Sequence, residues 1–252
     1  MKWIYSHSKI VFPLWIALVL IGEAICVFLT DFPAVLVVLL FLALALCPLL
    51  FITHKLNTEC ARAVKKLDEG EPEELLTFVR SFPKRDLLLS LNEAVALEEI
   101  GRKREAYELL LSARPRRFAA PMLAVLYYNN LACHAEDAET KRAHYGTAKG
   151  YLVAVRATGQ LVALTHQLRS TEAEVLFAEG RHEECLAVTA ELLSGNLSKR
   201  GRASLLLLRA KCLLKAEGER DEIPALLNEV VSLTPNLFAA KEARELLKGI
   251  DE

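Results

Sequence analysis

Between Ile10 and Thr53 only eight of 44 residues are not apolar. No other feature limits this chain as much, because so dense an apolar run needs either lipid or a large core to cover it. Two stretches make it up. Ile10 to Leu29 is broken only by Pro13, Gly22 and Glu23, and Pro33 to Thr53 carries no charge. A membrane helix needs about 20 apolar residues to cross a hydrocarbon layer of about 30 Å. Both stretches meet that length, and Thr30, Asp31 and Phe32 between them leave room only for a tight turn. The charges follow the same division. Residues 1–53 contain just Lys2, Lys9, Glu23 and Asp31 of the 31 basic and 32 acidic residues in the chain. The expected organisation is a two-span transmembrane hairpin over 1–53 and a charged, water-compatible domain over 54–252.

Flanking charges set the expected orientation. Lys2 and Lys9 precede the first stretch, and Lys55, Arg62, Lys65 and Lys66 follow the second, while the connecting turn carries only Asp31. Basic flanks stay on the cytoplasmic side, so both ends and the 54–252 domain are expected in the cytoplasm, at the plasma membrane. Trp3, Tyr5 and Trp15 lie near that interface as aromatic anchors. A cleaved signal peptide is the alternative for the first stretch. It is long for one, lacks a small-residue cleavage site and is followed at once by a second apolar run. Glu23 is the one ionisable residue inside a span and therefore a candidate intramembrane polar site. It stands six residues from Leu29, near enough to the outer interface to reach toward it.

The remainder repeats itself. Gly70, Gly101, Gly180 and Gly218 each have Glu four residues later, at Glu74, Glu105, Glu184 and Glu222. Five residues after the glycines stand Leu75, Ala106, Cys185 and Ile223. Nine after stand Val79, Leu110, Thr189 and Leu227, and twelve after stand Phe82, Ala113, Leu192 and Val230. Glycine ends a helix in a left-handed cap without a Cβ clash. The glutamate then complements the dipole of the next helix, and offsets of five, nine and twelve lie on one helical face. Pro72 and Pro224 fall in first turns, where a missing N–H costs little. The glycines are 31, 79 and 38 residues apart, so the middle interval holds one further hairpin. Its helices are expected over 118–134 and 139–158, with Ala135 to Ala138 as the turn. Leu237 to Lys248 is expected as a final helix, with Lys241, Glu242, Arg244 and Glu245 on a polar outer face. The fold class is all-α: two transmembrane helices, then an α-solenoid of about five helical hairpins with a C-terminal capping helix.

At these positions the chain resembles tetratricopeptide-repeat proteins. The resemblance rests on the glycine turns, on Ala63, Ala94 and Ala173 seven residues before three of the glycines, and on Leu97, Leu176 and Leu214 four before. Pro235, seventeen after Gly218, matches that family's terminal proline. Lys211 departs from the pattern where a small residue is expected, as do Glu93 and Glu172 where leucine is usual. Another α-solenoid, such as a HEAT-like array, is the alternative. Such families imply a protein or peptide partner held along a concave groove lined by the first helix of each pair. The candidate groove residues are Asn129, Asn130, Gln167, Ser170, Glu174 and Lys215, with the two asparagines placed to bond a peptide backbone.

No catalytic, cofactor or metal motif is present. The six cysteines, at 26, 47, 60, 133, 185 and 212, are never closer than 13 residues, so no zinc-ligand spacing occurs. Phosphate-binding, dinucleotide, zinc-protease and nucleophile-elbow signatures are missing. A net charge of −1 gives nucleic acid nothing to bind. No cofactor and no enzymatic activity are expected. Arg102–Arg104, Arg114, Arg116 and Arg117, with Lys55, Arg62, Lys65 and Lys66, are candidates for contact with anionic lipid. The function expected is a membrane-anchored helical-repeat scaffold that binds a protein or peptide. The alternative is an accessory subunit of a membrane transport or envelope complex that acts through its hairpin.

Overall fold

The computed structural model describes residues 4, 7–29, 34–114, 117–155, 159–216 and 221–251. The expectations placed on Lys2, Trp3, Tyr5, the turn at 30–32, Arg116 and Gly218 fall outside them. Every described element is an α-helix, with no strand among the described residues. In chain order they are α1 (Ser8–Leu29), α2 (Ala34–Asp68), α3 (Pro72–Arg80), α4 (Leu87–Glu99), α5 (Lys103–Ser112) and α6 (Pro121–His134). Then come α7 (Ala138–Leu152), α8 (Gly159–Ala178), α9 (His182–Leu193), α10 (Lys199–Lys215), α11 (Ile223–Leu233) and α12 (Phe238–Asp251).

The chain divides into two units, one of residues 1–65 and 77–85 and one of 66–76 and 86–252. In the first, α2 runs unbroken for 35 residues, about 52 Å at 1.5 Å per residue. Its Leu40–Asp68 portion is the one helix among the described residues long and apolar enough to cross a membrane. The described apolar part of α1, Ile10–Cys26, is shorter than that. Of the two expected spans, length and composition therefore support one. The large side chains of both helices point outward: Ile10, Leu18, Leu40, Leu50 and Phe51 are all more than half exposed. Gly22 of α1 lies against the ring of Phe41 in α2, where an added Cβ would come within 2.9 Å of Cε1.

In the second unit the glycine turns form as the spacing predicts. Gly70, Gly101 and Gly180 have φ of 92°, 82° and 75°. At each, the glycine N–H bonds the carbonyl three residues back, and the following N–H bonds the carbonyl five back. The pairs are Gly70 to Leu67 and Glu71 to Lys66, Gly101 to Glu98 and Arg102 to Leu97, and Gly180 to Phe177 and Arg181 to Leu176, all between 2.8 and 3.0 Å. One cap, the Schellman motif, thus closes all three helices. The stripe that follows each glycine is buried too. Leu75, Ala106, Cys185, Ile223, Leu110, Thr189, Leu227, Leu192 and Val230 are all shielded, while Ala113 is half-buried; Val79 and Phe82, which belong to the first unit, are buried as well. The additional hairpin appears as α6 and α7, with α6 starting three residues later than expected because Pro121 sets its first turn.

The core of this unit is a chain of overlapping clusters. Val125, Ala148, Leu164 and Leu168 join α6, α7 and α8. Ala173, Cys185, Val188, Leu205 and Cys212 join α8, α9 and α10, and Leu206, Ala210, Leu227, Val230 and Ala243 join α10, α11 and α12. From α4 onward each helix packs on the next in sequence, as stacked hairpins require. The even-numbered helices also touch in succession, α4 to α6, α6 to α8, α8 to α10 and α10 to α12, and α12 returns to α4. These five helices close a ring, whereas an open array with a free capping end was expected. Three contacts seal it. Phe238 lies over Gly101, Asn236 lies 3.5 Å from the Cβ position of Gly70, and Arg200 bridges Asp68 and Glu99 at 3.4 and 3.0 Å. The expected outer face of α12 survives at Lys241, Arg244 and Glu245, which are exposed. Glu242 instead pairs with Lys211 of α10 at 2.6 Å, which accounts for a lysine at a small-residue position of the repeat.

Candidate functional site

Helices α4 to α8 bring together a group of ionisable side chains, of which His134 and Lys141 are buried and Glu98, Lys103 and Glu174 are partly exposed. Its floor is the α6 C-terminus. Lys141 of α7 is nearly buried and donates to the carbonyls of Ala132 and Cys133, both at 3.0 Å, so an ammonium caps the negative end of α6. The same ammonium lies 3.5 Å from Glu174 of α8. Beside it the Cys133 Sγ and Thr171 Oγ1 are 3.3 Å apart, and Thr171 donates to the Asn129 side-chain oxygen at 2.8 Å. Burial and the carboxylates of Glu174 and Glu98 push the Cys133 thiol up to about 12, so it stays protonated and unreactive.

Glu98 of α4 faces this group. Lys103 lies 3.8 Å from its carboxylate and His134 Nδ1 lies 3.7 Å away, the latter an ionic contact too long to be a hydrogen bond. Burial works against ionisation of Glu98, but His134, Lys103 and Arg200 outweigh it and hold its carboxyl at about 2. Glu99 goes the other way: burial raises it, with only partial relief from Arg200. His134 is 1% exposed, and neither ring nitrogen has a hydrogen-bond partner. An unbonded buried imidazole is costly. Among the described residues no group of three or more His, Cys, Asp or Glu side chains could hold a metal ion.

The six expected groove residues fare differently. Asn129 is buried with its oxygen engaged by Thr171. Asn130 donates to the Leu126 carbonyl of its own helix. Each asparagine thus has one amide atom bonded within the fold, and Asn130 is half-buried. Ser170 returns to the His166 carbonyl, and Glu174 is held by Lys141. Gln167 and Lys215 are exposed. The lipid-facing candidates Lys55, Arg62 and Lys65 are exposed on α2, while Lys66 bridges Glu69 and Glu71 across the Gly70 turn at 3.2 and 3.1 Å. Glu23 is half-buried beside the Gly22–Phe41 contact. Sequence reasoning missed Glu98, Lys103, His134 and Arg200 because charges on a helix normally mark a solvated face. The available signal was Glu98 and Glu99 standing just before Gly101 on the stretch that buries Ala94 and Leu97. Compared with family models, with curated proteins and with solved structures, the chain matches none.

Proposed function

We propose that this chain is a membrane-anchored scaffold. In this reading α1 and α2 form a two-span hairpin with both ends in the cytoplasm, and the helical hairpins of 54–252 hold a protein or peptide partner in the manner of tetratricopeptide repeats. The observation that carries it is α2. One helix runs from an apolar stretch to a charged end at Asp68, and only 12% of its apolar window is buried by the rest of the chain. The core helix of a water-soluble protein is mostly covered; this one needs lipid or a partner membrane helix. The partner role is supported by the exposed Gln167 and Lys215 and by Glu174, about one-third exposed, on the helices that line the ring. The charged group around the α6 C-terminus then forms part of the recognition surface.

The test is the full chain carrying a promiscuous biotin ligase at its C-terminus, expressed in cells and followed by an alkaline carbonate wash. The chain is expected to stay in the membrane pellet and to label a small set of cytoplasmic-side proteins. Gln167→Lys with Glu174→Lys is expected to deplete that set. Release by carbonate would sink the anchor, and a labelled set unchanged by the double variant would sink the binding face.

A second reading has one observation of its own. α1 and α2 meet at Gly22 and Phe41, next to Glu23, so the acid inside the first apolar stretch stands beside a helix–helix contact. If the chain instead serves a membrane complex through that hairpin, Glu23→Gln abolishes activity of the complex while leaving partner labelling intact.

A further inference from the structure

Arg114, residues 117–121, Tyr128 and Tyr151 line a cavity of about 770 Å³, within the range of small-molecule sites. Its walls combine positive charge with aromatic rings. Tyr128 and Tyr151 lie nearly parallel, at 10° with centroids 5.7 Å apart, and Phe118 sets its edge against Tyr151 at 5.9 Å. Arg114 and Arg117 line the same space, and no acidic side chain does. Arg114 donates to the Tyr128 hydroxyl at 3.3 Å. Neither arginine has a carboxylate within ion-pair distance among the described residues. Eight other arginines of the same unit do, while Arg244 donates to the Pro235 carbonyl instead. The first turn of α6 closes the cavity. Its N-cap, Ala120, offers no side-chain acceptor, and no acid stands in that turn, so the positive end of the helix dipole is left unanswered.

From this we infer that the cavity binds a phosphomonoester carried on a ring. The charge decides between anions. Two guanidiniums and a helix N-terminus offer about two and a half positive charges. A phosphomonoester brings about −1.5 to −2 at neutral pH, whereas a carboxylate brings one and would leave a guanidinium uncompensated. Each arginine offers a planar fork to phosphate oxygens. The stacked tyrosines and Phe118 supply an aromatic wall for the body of the ligand. The site is separate from the charged interior of the helix ring and does not depend on the scaffold reading.

Two sources present that chemistry: a soluble ring phosphate and the headgroup of a phosphorylated inositol lipid. The experiment is titration calorimetry on the full chain in non-ionic detergent. Phenyl phosphate is expected to bind at least tenfold more tightly than inorganic phosphate or benzoate. Arg114→Gln with Arg117→Gln is expected to weaken it at least tenfold, and Tyr151→Leu to erase the preference over inorganic phosphate. Both arginines are exposed, and an unchanged circular dichroism melt establishes that the double variant is folded. Dioctanoyl phosphatidylinositol 4-phosphate is then compared with inositol 1-phosphate. Tighter binding of the diacyl probe assigns the lipid, and equal binding assigns the soluble phosphate. No binding of any phosphomonoester, or equal binding by wild type and the arginine double variant, overturns the proposal.

Discussion

Replacing Gly101 by alanine probes the closure of the ring directly. The residue has φ of +82°, and a Cβ there would lie 2.8 and 3.0 Å from Cδ2 and Cε2 of Phe238. The left-handed backbone alone costs an L-residue about 1–2 kcal/mol. Crowding a packed ring adds about 1–3 kcal/mol, so Gly101→Ala is expected to destabilise by about 2–5 kcal/mol. Gly180 supplies the control, with φ of +75° and nothing within 4 Å of its Cβ position. Gly180→Ala should therefore lose only the backbone cost, about 1–2 kcal/mol. Phe238→Ala removes the obstacle, so Gly101→Ala in that background should cost no more than Gly180→Ala does. The assay is urea unfolding of the full chain in mild detergent, followed at 222 nm, with the midpoint and slope fitted for all four variants. The double-mutant coupling is expected at about 1–3 kcal/mol. Equal losses at Gly101 and Gly180, or strict additivity with Phe238→Ala, would refute the contact between the last helix and the α4–α5 turn.

Three further outcomes follow from the ring interior. Lys141→Met leaves two α6 carbonyls without a donor and Glu174 without its cation, a loss expected at about 2–4 kcal/mol and measured as a lowered thermal midpoint. Glu98 is held at about 2, below its ordinary 4.5. Its ionised form therefore stabilises the fold fully above about pH 4.5, and that contribution drains away as pH falls toward 2. Glu98→Gln should flatten the stability profile across that interval in acid titrations followed by circular dichroism, and an unchanged slope would count against the pairing. Cys133, pushed up to about 12, should resist maleimide at pH 8 in the folded chain and react once urea unfolds it, as mass spectrometry of the labelled peptide reports.

The hairpins were legible because their signals are local. A glycine, a glutamate four residues on and an apolar stripe suffice to place a turn, a dipole and a buried face. Gly70, Gly101 and Gly180 adopt the conformation that pattern requires. Closure was not legible. It depends on Phe238 reaching Gly101 and on Arg200 reaching Asp68, contacts between residues more than 100 positions apart with no shared pattern. The charged interior was hidden for a related reason. Glu98, Lys141 and Arg200 each look like members of a solvated helix face, and their partners His134, Glu174 and Glu99 come from other helices. Asn129 and Asn130 were singled out as polar groups on an inner helix, yet side-chain amides at such positions bond the fold itself when a neighbour such as Thr171 comes within reach. Arg114 and Arg117 were legible as a basic cluster but not as a cavity wall, since Tyr151 joins them from 34 residues beyond Arg117.

A linear stack of hairpins frays from its ends, where the outermost unit has one neighbour instead of two, and it tolerates gaining or losing a unit. A ring of five inner helices has no outermost unit. Inserting a sixth hairpin would open a gap between α12 and α4, and deleting one would strain the remaining crossings, so the number of hairpins is fixed by geometry. Amide hydrogens of α4 and α12 should then exchange as slowly as those of α8, with the whole circle opening as a single cooperative event.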